Sequence, residues 1–272
     1  MIIHIDSLNT PGADIFANLT ERELRNSYEK SGGFFIAESP NVIDRALSSG
    51  YEPVSFLMEE KHIMGDAAFL IQKCPDVPVY TGTRSLLENL TGYKLTRGVL
   101  CAFKRKDPLS FVQACDGAKR VCVLENIADS SNLGAIFRSA AALGIDAVLL
   151  SPECADPFNR RCLRVSMGNV FLVKWARLCD DSSLWPLDGI NKLKSLGFKT
   201  LSMALRNNTV DINNPVFSSE NKLAVFLGTE GDGLLPETID SSDYVVKIPM
   251  KSGVDSLNVA AAAAIIFWEL CK

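Results

Sequence analysis

Three short stretches in the second half of this 272-residue chain combine glycine with side chains that can hydrogen-bond a ligand. They are "ENIADSSNLGAIFRSAAALG" (125–144), "FLGTEGDGL" (226–234) and "IPMKSGVDSLNVAAAAA" (248–264). In the second, Gly228, Gly231 and Gly233 run G-x-x-G-x-G, the reverse of a dinucleotide fingerprint, and Pro236 stands where that fingerprint opens a helix. The G-K-[ST] of a phosphate loop is missing. What is left is a glycine-rich turn after a strand: either a tight surface turn, or a place where backbone amides and carbonyls approach a ligand. In the first stretch, Asn132 stands near a helix start and Arg138 follows six positions later, roughly 240° around the axis. Asn132 reads either as a helix N-cap with Arg138 solvated, or the two border one concave site. In the third, Ser256 and Asn258 precede five alanines, Ala260 to Ala264. One reading makes Ser256 the helix cap and lets Asn258 bond the loop's own backbone. The other holds both at a buried helix start, which favours an anionic group such as phosphate.

The rest of the composition narrows the chemistry. Histidine occurs only at 4 and 62, so imidazole acid–base or triad catalysis is excluded from the second half unless a distant loop reaches over. The eight cysteines contain no C-x-x-C pair, and several sit in apolar runs such as "RVCVLEN". They read as reduced core residues, and no zinc or other metal site is expected. The opening "MIIHIDSLNT" has neither the basic nor the apolar region of a secretory leader. The longest apolar run, Val259 to Trp268, is far below the ~18 residues of a membrane span. A soluble, cytoplasmic protein is expected. Net charge is −4, with 12 basic against 14 acidic residues in 1–115 and 16 against 18 beyond. Bulk charge therefore gives no sign of a nucleic-acid partner, although "PFNRRCLR" (Arg160, Arg161, Arg164) and "KRK" at 104–106 are local candidates for a phosphate contact, or simply solvated charge.

The elements that must position these residues fall into two groups. Thr20 and Glu23 form a capping-box pattern for a short polar helix ending at Gly32–Gly33. "FFIAESP", "NVIDRALSSG", "EPVSFLMEE", "VPVYTG", "SLLENLTG" and "RGVLCAFKR" then alternate strand and helix, predicting a small α/β unit over 1–108. Pro108 and Gly117 punctuate an expected linker at 109–119. Over 120–272, continuous β-branched runs alternate with helices, among them 132–143 and 256–271. That pattern predicts a parallel sheet covered on both faces, with ligands at the carboxyl ends of its strands.

Taken together, the three stretches resemble the three motifs of the SpoU family of RNA ribose 2′-O-methyltransferases, within the SPOUT class. "NLGAIFRSA" looks like motif one, "FLGTEGDGL" like motif two and "IPMKSGVDSLNVAAAAA" like motif three, in the family's order. The resemblance spans about 120–272. More weakly, "FFIAESPNVIDRAL" and "TRGVLCAFKR" look like the ribosomal-protein-like RNA-binding domain that often precedes it; the resemblance is not extended to the segment before Gly32.

The resemblance implies an α/β fold whose C-terminal parallel-sheet SPOUT domain is tied in a deep trefoil knot, and a homodimer with a site completed across the subunit interface. It implies S-adenosylmethionine bound at Leu227, Gly228, Ile248, Met250 and Leu257, largely through main-chain atoms. It carries the catalytic positions onto Asn132, Arg138, Glu230, Ser256 and Asn258. The implied activity is methyl transfer to a ribose 2′-hydroxyl of ribosomal or transfer RNA, with no metal and no membrane. Departures are Ser130 where the family often has proline, Ser139 where it has threonine, and Ala260 where serine is common; none removes a reacting group. Two rivals are an RNA-binding protein with a degenerate methyltransferase domain and a nucleotide-dependent enzyme on an open Rossmann sheet. The retained polar residues weigh against the first, and the missing fingerprint against the second.

Overall fold

A computed structural model describes residues 1–7, 10–16, 33–91, 98–179, 181–206, 208–251, 253 and 256–272. The helix expected from the Thr20 capping box lies outside the described residues. The chain divides into two compact units, Met1–Asp107 with Phe158–Phe171, and Pro108–Pro157 with Leu172–Lys272.

The first unit holds β1 (Ile2–His4), β2 (Phe34–Glu38), α1 (Pro40–Ser48), β3 (Pro53–Glu59), α2 (Ala68–Lys73), β4 (Val79–Gly82), α3 (Arg84–Thr91) and β5 (Val99–Lys104). Its five strands form one mixed sheet in the order β1-β4-β3-β5-β2. β4 runs parallel to β1 and β3, while β5 runs antiparallel to β2 and β3.

The second unit holds α4 (Phe111–Cys115), β6 (Arg120–Leu124), α5 (Ser130–Leu143) and β7 (Ala147–Leu150). α6 (Arg160–Val165) follows in sequence but packs within the first unit. The second unit resumes with β8 (Lys174–Arg177), α7 (Leu187–Ser195), β9 (Lys199–Met203), β10 (Val210–Asp211), α8 (Val216–Ser219), β11 (Leu223–Leu227), α9 (Pro236–Ser241), β12 (Tyr244–Lys247) and α10 (Val259–Cys271). Its seven strands are all parallel, in the order β10-β12-β9-β11-β6-β7-β8. The central strands are buried on both faces, every residue of Leu223–Leu227 included, which is why they read as unbroken apolar runs. Burial of each such large side chain is worth about 1.5–3 kcal/mol.

Two expectations about the domain layout need correction. The stretch 109–119 is folded, not a free linker. Ser110 caps α4 in a reciprocal capping box with Gln113, and Ala114, Cys115 and Ala118 are buried in the second unit's core. Residues 158–171 were expected to stay with 120–272, yet they complete the first unit. Phe158 stacks on Phe35 at 4.8 Å, Phe171 lies 5.2 Å from Tyr51, and Arg45 donates to the Met167 carbonyl at 3.0 Å. Aromatic burial on that scale outweighs chain order in deciding which core a segment joins.

Sheet order sets up the site. β6 and β11 are neighbours and end level, Leu124 opposite Leu227, so the loops that follow them leave the sheet side by side. β9 and β12 flank β11 on its other side. The three motif loops, after β6, β11 and β12, therefore converge on one edge, at the carboxyl ends of the strands.

Candidate active site

α5 starts two residues earlier than expected, and Asp129, not Asn132, is its N-cap. The Asp129 carboxylate accepts from the amides of Ser131 and Asn132, both at 2.8 Å. Gly144 ends the helix at φ 85°, the left-handed turn that the sequence reading placed there. Because Asp129 satisfies the first-turn amides, the Asn132 side chain is released to do something else. Its Nδ2 donates to Glu230 Oε1 at 3.0 Å.

At α10 the tasks are combined. Asn258, not Ser256, caps the helix, its Oδ1 accepting from Ala260 at 2.9 Å and from Ala261 at 3.3 Å. The Nδ2 of the same side chain donates to Asn132 Oδ1 at 3.1 Å and to Glu230 Oε1. Asn132, Glu230 and Asn258 thus close a triangle in which each residue bonds both others, one from each motif. Both amides point a donor at one carboxylate oxygen, and the shared acceptor fixes their orientation.

The motif-two loop is shaped to present Glu230. Thr229 and Gly233 exchange backbone hydrogen bonds of 3.1 and 3.2 Å across the turn. A Cβ on Gly228 would come within 2.2 Å of the Gly233 carbonyl oxygen, so only glycine allows this closure. The far end of the loop is clamped by Glu125, the first residue beyond β6, which is 1% exposed. Its carboxylate accepts from the Leu235 amide at 2.6 Å, from Trp185 Nε1 at 2.8 Å and from Thr238 Oγ1. Burial pushes this carboxyl above its ordinary value, against the pull of those three hydrogen bonds.

Beside the triangle lies a cleft of about 760 Å³. Glu230, Ser256, Leu257 and Asn258 line it, as do Ile248 and Met250 from the loop after β12. Leu227 and Gly228 do not line it. Leu227 is buried on its strand, with its carbonyl accepting from the Glu125 amide at 2.9 Å, and the wall begins at Thr229. Asn132 stands at the triangle outside the lining. Arg138 lies further along α5, exposed and without a hydrogen bond or ion pair among the described residues. The single chain therefore brings together Asn132, Glu230, Ser256, Asn258, Ile248, Met250 and Leu257, and leaves Arg138 apart.

Sequence reasoning missed the wall contributed by Met203 at the end of β9 and by Ala204, Leu205 and Arg206 after it, together with Leu234 and Ile239. The rule that ligands gather at strand carboxyl ends applied to "FKTLSMAL" as it did to the motifs, but that run lacks glycine to draw attention. Glu125 was also passed over, although an acid closing an apolar strand run is a recognisable signal.

Of the two basic stretches, "KRK" is occupied within the first unit. Lys104 pairs with Glu52 at 2.6 Å, Arg105 donates to the Phe34 carbonyl at 3.0 Å, and Lys106 donates to the Ser49 carbonyl at 2.8 Å. α6 carries Arg160, Arg161 and Arg164 in the same unit, Arg164 being 3.6 Å from the buried Glu38 carboxylate. Among the described residues no group of three or more His, Cys, Asp or Glu could hold a metal, and no helix is long and apolar enough to cross a membrane.

The chain is similar to known proteins in sequence and in fold. Residues 119–268 match the SpoU rRNA methylase family. A tRNA/rRNA methyltransferase of Mycobacterium bovis, itself uncharacterised, is 37% identical over 262 residues, covering 95% of this chain and 88% of the relative. The 23S rRNA (guanosine(2553)-2'-O)-methyltransferase RlmP of Bacillus subtilis is 29% identical over 227 residues, covering 79% of this chain and 88% of that protein. The fold of an AdoMet-bound rRNA methyltransferase from Sinorhizobium meliloti superposes with a TM-score of 0.76 at 24% identity, over 99% of this chain and 97% of that one. Matched over more than half its length and across all three loops of the site, the chain belongs to the SpoU rRNA methylase family.

Proposed function

We propose that this protein methylates the ribose 2′-hydroxyl of a nucleotide in ribosomal or transfer RNA, with S-adenosylmethionine as donor. The observation that carries the proposal is the Asn132–Glu230–Asn258 triangle at the rim of the cleft, which links all three motif loops of a SpoU family member. The Bacillus subtilis relative's name supports the ribose 2′-hydroxyl as acceptor.

The cleft suits the cofactor. Apolar Leu234, Ile239, Ile248 and Leu257 offer surface to an adenosine and a thioether, and Thr229 Oγ1 is buried in the wall without a hydrogen-bond partner among the described residues. When bound, the cofactor supplies a methyl group on a sulfonium, a strong electrophile needing little covalent help. The chain's own task is placement. The triangle holds Asn132 and Asn258 as a fixed polar rim for the ribose, and the Gly228–Gly233 closure keeps Glu230 in reach of both. Arg138 cannot act as a base, because a guanidinium stays protonated with a pKa above about 12. It clamps the neighbouring phosphate and stabilises the forming alkoxide, which lowers the hydroxyl's pKa.

Arg138 lies outside its own chain's cleft, and this supports a homodimer in which it serves the partner's site. On α10, Ile265 is 41% exposed and Trp268 64%, an apolar stripe on the helix that packs against α5, which bears Arg138. The trefoil knot belongs to the same proposal, supported by β6 lying beside β11 and by the last helix packing on the helix that follows β6. The first unit, with α6 and its three arginines, selects the RNA.

The test is to map ribose methylation in RNA from cells lacking the gene, then to restore it in vitro with wild-type protein and with Arg138→Ala. The expected result is one missing mark, restored by wild type alone while the variant still binds S-adenosylhomocysteine. Cofactor-binding protein that restores no mark would favour the non-catalytic RNA-binding rival. Turnover by Arg138→Ala would refute the role given to the guanidinium.

A further inference from the structure

The cleft holds two cations among its described lining residues, Lys247 and Arg206. Lys247 Nζ is paired with Asp211 Oδ1 at 3.7 Å. Arg206, in the segment after β9, is exposed and makes no hydrogen bond or ion pair among the described residues. Neither the family's three motifs nor any role derived above uses it.

Position decides what this guanidinium faces. Arg206 lines the cleft together with Ile248, Met250 and Leu257, the residues given to the cofactor. Of the groups given to ribose and RNA phosphate, Asn132 and Arg138 stand outside the lining and Asn258 alone lies within it. The charge therefore belongs to the cofactor's side. S-adenosylmethionine carries one anionic group, the carboxylate of its amino-acid tail. A planar guanidinium matches a carboxylate through two parallel hydrogen bonds, and a partly enclosed cleft strengthens them relative to water. The other charges along the wall point the same way. Glu230 and Asp232 are carboxylates that repel an anion and favour the sulfonium and ammonium, which leaves Arg206 and Lys247 as the described lining groups that attract a carboxylate.

We propose that Arg206 binds the carboxylate of the cofactor's methionine moiety and thereby sets which end of the cleft the amino-acid tail occupies. The proposal rests on the cofactor reading above. Calorimetry with two probes tests it: S-adenosylhomocysteine, and methylthioadenosine, which keeps adenosine and thioether but lacks the carboxylate. Arg206→Ala should weaken S-adenosylhomocysteine by roughly ten- to hundredfold, the scale of hydrogen bonds to a charged group. The affinity for methylthioadenosine should change by less than about twofold, and Arg206→Lys should recover part of the loss as a point charge. Equal losses for both probes would overturn the proposal by showing that Arg206 shapes the adenosine wall. Unchanged binding of both, with a raised KM for RNA, would overturn it in favour of a phosphate contact. Wild-type protein binding neither probe would sink the cofactor reading itself, and this assignment with it, an outcome distinct from the other two.

Discussion

At the start of α5 the capping task and the site task fall to different residues, Asp129 and Asn132, whereas at the start of α10 Asn258 performs both. The two helices meet at one hydrogen-bonded junction, yet they reach it with different tolerance to change. Where duties are divided, evolution can alter the cap without touching the site. Where one amide caps a helix with its oxygen and serves the junction with its nitrogen, every substitution disturbs stability and chemistry together. The arrangement at α10 also aims the amide, since two backbone N–H groups hold Oδ1 and leave Nδ2 only one direction.

The largest effect separating the two helices is expected at α10. Asn258→Ala should reduce methyl transfer by about a hundredfold or more, as for loss of an aligned polar group in a reacting site. It should also destabilise the protein by about 1 kcal/mol through the lost cap, a drop of roughly 2–4 °C in Tm. Turnover assays and thermal denaturation on one preparation check both halves. Asn132→Ala should cost about tenfold or more in turnover with stability within about 0.5 kcal/mol of wild type. An equal loss of Tm in both variants would erase the distinction. Asp129→Ala should do the converse, losing about 1 kcal/mol while turnover stays within roughly threefold. Loss of activity on the scale of Asn132→Ala would show that the cap and the site at α5 are not separate after all.

A smaller effect concerns the clamp beneath the junction. Glu125 has a raised carboxyl pKa because of burial, so its contribution to folding stability is fully present below the ordinary value of 4.5 and is lost as pH rises through the folded value. Glu125→Gln, which cannot ionise, should flatten that slope. Denaturant titrations from acid to neutral pH on both proteins would reveal it, and parallel profiles would mean that another group sets the dependence.

Much of the second unit was legible in one dimension. Buried parallel strands such as "LAVFL" and "RVCVL" announce themselves as apolar runs, and Gly144 announces a helix end. The first unit was legible as alternating elements, but its true extent was not. Nothing in "PFNRRCLRVS" reveals that Phe158 will stack on Phe35 more than a hundred residues away. The α4 helix carried its own signal, Ser110 with Gln113, but Pro108 and Gly117 on either side argued more loudly for a linker. Choice of cap was also beyond local reading. Asp129, Asn132, Ser256 and Asn258 are all good N-caps by type, and the backbone path decides which one is at the right position.

The sequence by itself determined the chemistry available: glycines where a turn must close, asparagines and a carboxylate that can share hydrogen bonds, an arginine that keeps its charge, and no imidazole in the second half. Residue type and short-range spacing carry that information directly. Only the tertiary structure decided that Asn132, Glu230 and Asn258 meet, that Arg206 shares a cleft with the motif loops, and that Arg138 stays outside it. Those facts depend on which strands lie side by side, and strand order is set by burial summed over the whole sheet, a quantity no local stretch of residues contains.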